Sequence, residues 1–133
     1  MKTDASAKVL IDTSAWISFF RKDPFCHGVV SALIDEDRVA CCGIILAELM
    51  QGAKSDKEIQ NLKGFFMVFE FPDEPLTLWE RAGELSYKLR LSGGSPGLAD
   101  CYLAVVAKAN SYSILTLDKH FIALSKETGV RII

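Results

Sequence analysis

The feature that most constrains this chain is the run Val9-Leu10-Ile11-Asp12-Thr13-Ser14, in which consecutive apolar residues stop at a carboxylate. Consecutive side chains of a strand point to opposite faces of a sheet, so this strand needs cover on both faces. Cover of that kind is typical of a parallel sheet flanked by helices. Such sheets bind ligands just beyond the carboxyl ends of their strands, and Asp12 follows the end of this one.

Downstream, apolar runs of strand length alternate with segments of helical periodicity. A short helix follows Asp12, with Thr13 or Ser14 near its cap. We expect further strands over residues 38–42, 67–71, 113–117 and 129–133, and further helices over residues 24–37, 44–50, 55–66, 76–91 and 98–109, with a last short helix beginning at 118–121. The alternation predicts a three-layer α/β/α sandwich with a mainly parallel sheet of about five strands. The length of 133 residues suits a single domain over 1–133.

The composition is that of an ordinary globular protein, with 50% hydrophobic and 24% charged residues. The formal net charge of -2 neither favours nor excludes a nucleic-acid partner, because a local positive patch or a bound metal ion is enough to hold phosphates. The segment 1–8 is polar, and no run approaches the roughly 20 apolar residues of a membrane span. We therefore expect a cytoplasmic protein with no membrane association.

The cysteines lack the spacing of a metal or redox motif. None of Cys26, Cys41, Cys42 and Cys101 forms a Cys-x-x-Cys pair, so we expect reduced and mostly buried thiols. A zinc site built from them and the two histidines is not expected, since no pair has ligand spacing. His27 and His120 are expected at the surface.

Four carboxylates occupy positions that are unfavourable for an isolated charge. Asp12 and Asp118 directly follow strands, so both lie at the carboxyl edge of the predicted sheet. Asp100 is in the first turn of an apolar helix, and Glu48 shares a side of its helix with Ile44. A carboxylate on an apolar face is costly unless it is paired or bound to a metal ion.

Each carboxylate also has a purely structural explanation. Asp12 and Asp118 could cap helices, Asp100 could favour the positive end of a helix dipole, and Glu48 could reach solvent from a rim. Taken one at a time, these explanations are at least as good as a functional one. Taken together, convergent carboxylates with only Lys119 beside them indicate a Mg²⁺ or Mn²⁺ site, because such cations take oxygen ligands. Ions of this kind activate water and stabilise charge on a phosphate under attack.

These residues lie in motifs that resemble a known family. The motifs are Leu10-Ile11-Asp12-Thr13-Ser14, Ala47-Glu48-Leu49-Met50-Gln51-Gly52, Leu98-Ala99-Asp100-Cys101-Tyr102-Leu103-Ala104 and Leu115-Thr116-Leu117-Asp118-Lys119-His120-Phe121. Their order resembles a PIN domain and is most similar to the VapC-type toxins of bacterial and archaeal toxin–antitoxin pairs. The resemblance covers essentially the whole chain. It departs from the family in the extra residues before Val9 and in Cys101-Tyr102, which replaces a more aliphatic pair.

The resemblance implies a Mg²⁺-dependent endoribonuclease, with Mn²⁺ as a possible substitute. Its catalytic and metal-binding residues would be Asp12, Glu48, Asp100 and Asp118, which we call the acidic tetrad. The supporting hydroxyls would be those of Thr13, Ser14 and Thr116. Metal-activated water would hydrolyse the RNA phosphodiester bond and leave 5′-phosphate and 3′-hydroxyl ends.

The resemblance also implies partners: an RNA substrate, a cognate antitoxin and a second copy of the chain in a homodimer. An antitoxin arginine is expected to reach the acidic pocket and inhibit the enzyme. Exposed aromatic residues on short helices are expected to need such partners, and those we predict to be exposed are Trp16, Phe19, Phe20 and Trp79. Candidate basic contacts to the RNA backbone are Arg21, Lys22, Lys54 and Lys119.

Other functions fit the sequence less well. In a receiver-like phosphoacceptor module, Asp73 could be the phosphorylated residue, but that module needs adjacent acids after its first strand and leaves Asp100 unexplained. A phosphatase of the Asp-x-Asp type fails because Ser14 occupies the second acidic position. A catalytically inactive binding domain stays open as an alternative.

Overall fold

The computed structural model describes residues 7–133, so the polar segment 1–6 and the expectations drawn from it lie outside the described residues. The strands are β1 (Val9–Ile11), β2 (Val39–Ala40), β3 (Ser113–Leu115) and β4 (Arg131–Ile132). The helices are α1 (Thr13–Phe20), α2 (Pro24–Asp35), α3 (Gly43–Gln51), α4 (Asp56–Phe66), α5 (Leu76–Leu91), α6 (Leu98–Ala109) and α7 (Phe121–Thr128).

The strands form one parallel sheet in the order β2-β1-β3-β4. Val9, Leu10 and Ile11 of β1 are all 0% exposed, so both faces of the central strand are covered. The predicted α/β fold with helices on a parallel sheet is therefore confirmed. Because every strand runs the same way, the carboxyl ends of β1 and β3 meet at one edge, and Ile11 pairs there with Leu115.

The helices pack in two groups. In the first, α1 contacts α2 and α3, and α3 contacts α4. In the second, α6 contacts α5, α7 and β3. Residues 101–107 of α6 are all buried, which confirms the prediction that this apolar helix is central. The ends of α5 and α6 agree with the ranges predicted from sequence.

The segment 67–71 does not form the predicted strand. Only Glu70 pairs, in an isolated parallel bridge to Ala40, and Met67 and Val68 are 82% and 74% exposed. The end of α4 explains the difference, since the backbone N–H groups of Met67 and Phe69 bond back to Gly64 and Phe66 and turn the chain. Within residues 7–133 the sheet accordingly has four strands rather than about five.

The prediction that Trp16 is exposed is wrong. Trp16 is 0% exposed and packs among aromatic rings of α1 and α4, with its ring centroid 4.9 Å from that of Phe66. Phe20 and Trp79 are 41% and 40% exposed, as expected of partly accessible side chains, whereas Phe19 is only half-buried against the core. Aromatic residues one helical turn apart on α1 thus serve as much to hold α4 as to face solvent.

The cysteines and the apolar helices can also be checked against their predictions. All four cysteines are buried, as expected, and none is disulfide-bonded. None of the helices in residues 7–133 combines the length and the apolar character that a bilayer crossing requires.

Candidate active site

The register of β1 and β3 brings Asp12 and Thr116 side by side. Since Ile11 pairs with Leu115, the next residue of each strand emerges at the same edge. The Asp12 backbone N–H donates to the Leu115 carbonyl at 3.0 Å, and the Thr116 hydroxyl donates to Asp12 Oδ2. Asp12 is only 4% exposed, so this carboxylate is held almost out of solvent.

Asp12 also caps α1, so Thr13 and Ser14 lie next to the cap, as predicted. Asp12 Oδ1 accepts from the Ala15 backbone N–H at 3.0 Å and from the Ser14 hydroxyl at 2.6 Å. The capping bond uses one carboxylate oxygen, whereas the bond from Thr116 uses the other. The structural explanation for Asp12 is therefore correct, and it is compatible with a place in the site.

Two hydroxyls connect Asp12 to the segment that carries Asp118. Ser14 Oγ accepts from the Leu117 backbone N–H at 3.1 Å, and Thr116 Oγ1 accepts from the Asp118 backbone N–H at 2.9 Å. Each hydroxyl thus donates to Asp12 and accepts from the chain beyond β3. This double use fixes the backbone of Asp118 relative to the Asp12 carboxylate.

Glu48 approaches from α3. The Thr13 hydroxyl at the start of α1 donates to Glu48 Oε1 at 2.7 Å, and α1 packs against α3. Glu48 is half-buried, so its carboxylate lies at the margin of the core rather than free in solvent. The third predicted hydroxyl therefore contacts a member of the acidic tetrad, as Ser14 and Thr116 do.

Asp100 and Asp118 form a cluster with a residue that sequence reasoning missed. One donor atom from each of Asp100, Asp118 and His120 lies within 4.8 Å of the others. The His120 side chain is 76% exposed, as predicted, but its Nδ1 is 2.9 Å from Asp118 Oδ1. The signal that could have found it is a histidine two residues after an acid at a strand end.

The pKa of Asp100 depends on the other three acids of the tetrad. The pKa of Asp100 is raised from 3.8 to about 6, chiefly by burial and then by the negative charges of Asp118, Asp12 and, least, Glu48. His120 acts in the opposite direction but does not cancel them. The acids are therefore close enough to repel one another, and repulsion outweighs the local positive charge.

The donor set fits a divalent cation. Asp100 and Asp118 offer carboxylate oxygens in one small cluster, with Asp12 and Glu48 beside it, and a positive ion would relieve the repulsion that raises the pKa of Asp100. Oxygen donors of this kind are the ones that Mg²⁺ and Mn²⁺ take.

A groove between α1, α3 and α4 begins at Glu48. Its volume is about 670 Å³, and it is lined by Ile17, Phe20, Arg21, Glu48, Leu49, Gly52, Ala53, Lys54, Glu58, Asn61, Leu62 and Phe65. Of the basic residues singled out from sequence, Arg21 and Lys54 line this groove, whereas Lys22 and Lys119 are exposed outside its lining. The groove lining is mostly apolar and includes Arg21, Lys54 and one member of the acidic tetrad, Glu48.

The position of Asp73 does not support the receiver-like alternative, in which it would be the phosphoacceptor. Asp73 was expected after a strand, but the segment 71–75 contains no strand and Asp73 is exposed there. A phosphoacceptor would have to lie at the carboxyl edge of the sheet with the other acids. The structure brings Asp12 and Asp118 to that edge, and does not bring Asp73.

A parallel sheet with carboxylates at its strand ends defines a class of small α/β domains. Within that class, residues 9–127 match the family model described as PIN domain, so the chain belongs to the PIN domain family. Among curated proteins, Ribonuclease VapC11 of Mycobacterium tuberculosis is 28% identical over 130 residues, which cover 92% of this chain and 96% of the relative.

Solved structures show the same fold. VapBC2 from Rickettsia felis, solved bound to a DNA fragment from its promoter, has a TM-score of 0.74 at 21% identity and covers 94% of this chain and 96% of its own. A toxin–antitoxin complex from Klebsiella pneumoniae has a TM-score of 0.75 at 19% identity, with 95% of this chain and 96% of its own covered.

Proposed function

We propose that this protein is a divalent-metal-dependent endoribonuclease and the toxin of a toxin–antitoxin pair. The observation that carries the proposal is the cluster of Asp100, Asp118 and His120, where burial and the negative charges of neighbouring acids raise the pKa of Asp100 to about 6. Membership of the PIN domain family supports it. The names of the VapC ribonuclease relatives and of the toxin–antitoxin structures point the same way.

Asp100 and Asp118 would hold a Mg²⁺ ion, or Mn²⁺ in its place, with Asp12 and Glu48 beside them. When bound, the cation polarises a water molecule and stabilises negative charge on the phosphate and the leaving oxygen. Asp12 keeps its orientation through the Thr116 and Ser14 hydroxyls.

Glu48 is oriented for proton transfer. The Thr13 hydroxyl holds Glu48 Oε1, which leaves Oε2 to accept a proton from the attacking water. The products are a 5′-phosphate and a 3′-hydroxyl, because water rather than the RNA 2′-hydroxyl attacks.

Partners are assigned on the same basis. Arg21 and Lys54 in the groove suit an RNA backbone near the acids, and the apolar part suits an antitoxin peptide whose arginine reaches the acidic tetrad. We further propose a cytoplasmic homodimer. Light scattering that showed a monomer throughout the micromolar range would contradict the dimer.

The test is cleavage of a single-stranded RNA by the full chain. Cleavage is expected with Mg²⁺ or Mn²⁺, to be abolished by EDTA and by Asp100→Asn, and to leave 5′-phosphate ends. The matched control is Asp73→Asn, which removes an exposed acid outside the site. Activity that persists in EDTA, or products with cyclic phosphate ends, would overturn the proposal.

A further inference from the structure

His120 lies beside the acids, but the acidic tetrad gives it no role. Its backbone N–H and its ring atom Nδ1 both lie 2.9 Å from the same oxygen, Asp118 Oδ1. The backbone bond fixes where the side chain begins, and the exposed ring starts beside the acids. The same histidine lowers the pKa of Asp100, so it is close to both acids of the cluster.

A ring nitrogen and a carboxylate oxygen are both electron-pair donors, and they do not approach to 2.9 Å unless a positive group lies between them. In the free protein a proton on the imidazole serves, and the two side chains then form an ion pair. A cation can replace that proton. Neighbouring ligands of one small octahedral ion are about 3 Å apart when the bonds are about 2.1 Å long, which is the separation found here.

We propose that His120 Nδ1 is a nitrogen ligand of the divalent ion held by Asp100 and Asp118, and that it makes the site prefer Mn²⁺ to Mg²⁺. This inference rests on the proposed function, since it takes the ion to bind at the acidic tetrad. The ring would bind as the neutral tautomer with its proton on Nε2. The side chain is 76% exposed, so water can accept that proton's hydrogen bond.

The preference follows from the chemistry of the donors. Mg²⁺ binds oxygen ligands and keeps much of its water shell, so an imidazole adds little to its affinity. Mn²⁺ binds nitrogen ligands more weakly than the later transition ions do. It nevertheless accepts an imidazole more readily than Mg²⁺, which has no d electrons. A nitrogen ligand should therefore raise the affinity for Mn²⁺ and leave that for Mg²⁺ nearly unchanged.

The chain supplies a matched control, because it has two histidines. His27 is exposed on α2 and stacks on Phe19, with ring centroids 5.3 Å apart. Substituting His27 removes an imidazole of similar exposure that lies on another helix. Any nitrogen signal or affinity change that depends on His120 and not on His27 then belongs to the site.

The experiment is pulsed electron paramagnetic resonance of Mn²⁺ added to the full chain, with no RNA present. The wild type and His27→Ala are expected to show ¹⁴N modulation from a directly bound imidazole, and His120→Ala and His120→Asn are expected to lack it. His120→Asn can still donate a hydrogen bond to Asp118, so it separates ligation from support. In calorimetry both His120 variants should bind Mn²⁺ about tenfold more weakly, with Mg²⁺ affinity changed less than about twofold.

The possible failures are distinguishable. Mn²⁺ bound to the wild type without ¹⁴N modulation would overturn the role of His120 and leave a metal-dependent nuclease standing, because oxygen ligands alone suffice for that. Equal losses of Mn²⁺ and Mg²⁺ affinity in the His120 variants would also overturn it. No Mn²⁺ binding by the wild type would overturn both this inference and the proposed metal dependence.

Discussion

At the scale of single residues, the carboxylate of Asp12 does two things with two oxygens. Oδ1 caps α1 through the Ala15 N–H, and Oδ2 accepts from Thr116 at the edge of the sheet. The structural and functional explanations of an acid in a sequence are therefore not exclusive. The effect of neighbouring carboxylates distinguishes the two explanations, and the pKa of Asp100 is where that effect can be tested.

Removing the charge of Asp100 should stabilise the protein without metal. Its folded pKa of about 6 is above the ordinary 3.8, so folding becomes less favourable as pH rises from 3.8 to about 6. Above that range Asp100→Asn should raise the free energy of unfolding by about 1 kcal/mol, after allowance for partial exposure and for the lost helix-dipole interaction. Denaturant unfolding in EDTA at pH 5 and pH 7.5 measures the effect.

Mg²⁺ should reverse the order of stability. The wild type gains stability by mass action, whereas Asp100→Asn loses most of that gain together with RNA cleavage. If Asp100→Asn instead unfolds more easily in EDTA and still cuts RNA at the wild-type rate, Asp100 is a structural residue and does not belong to the acidic tetrad.

The hydroxyl of Thr116 should contribute more to stability and metal binding than the branched shape of its side chain. Thr116→Val keeps the branched side chain but removes both the donor to buried Asp12 and the acceptor for the Asp118 N–H. A loss of about 1 to 3 kcal/mol in unfolding free energy is expected, together with weaker metal binding. Thr116→Ser, which keeps the hydroxyl, should remain close to the wild type. Equal behaviour of the Val and Ser variants would contradict this role.

At the scale of elements, the sequence predicts long periodic segments better than short ones. The bounds of α5 and α6 agree with the helical spacing of their apolar residues, and α4 lies within its predicted range of 55–66. The prediction of a strand over residues 67–71 was wrong because an alternating pattern also fits a turn after a helix. Short apolar runs carry too few residues to separate these cases.

The sequence predicted those site residues whose positions depend on the ends of strands. Asp12 and Asp118 needed only the parallel sheet, because its strands finish at one edge. The cluster position of His120 depends on how the chain turns after β3, which periodicity does not encode. The burial of Trp16 depends on the aromatic residues of α4, and these are distant in sequence.

Tyr102 joins two helices through Glu74. Its hydroxyl donates to Glu74 Oε1 at 2.5 Å, while Glu74 Oε2 accepts from the Gly43 N–H at 3.0 Å where α3 begins. Trp79 stacks on the Tyr102 ring with centroids 3.6 Å apart. The tyrosine in the Cys101-Tyr102 departure thus has a structural partner on a loop that also caps α3.

Tyr102→Phe should lower the unfolding free energy by about 1 to 2 kcal/mol, because the ring still stacks but the half-buried Glu74 loses a donor. Tyr87→Phe is the control, since Tyr87 is 57% exposed on α5. Thermal or urea unfolding of both variants measures the difference. Identical stability of the two would show that the Tyr102 hydroxyl contributes nothing.

At the scale of the whole molecule, the acidic tetrad and the groove meet at Glu48, so one partner can reach both. A peptide that fills the groove would cover apolar side chains and place its end beside the acids. Inhibition would then come from a contact that extends beyond the catalytic groups.

Phe20→Ala should weaken binding of the proposed antitoxin by about tenfold, because Phe20 lines the groove and is 41% exposed. Cleavage of RNA without antitoxin should persist. Phe25→Ala is the matched control, since Phe25 is 65% exposed on α2 and outside the groove lining. Titration calorimetry gives both affinities, and equal values for the two variants would exclude the groove as the docking site.

The strand order has a consequence for how the protein is made. β1 emerges from the ribosome about a hundred residues before its neighbour β3, which begins at Ser113, and Asp100 and Asp118 also come late, close to β3. A nascent polypeptide that stops before α6 carries Asp12 and Glu48 but neither of the other two acids. On the proposed function, chains truncated before α6 should therefore not cleave RNA, and the proposed antitoxin can be synthesised before the nuclease site is complete.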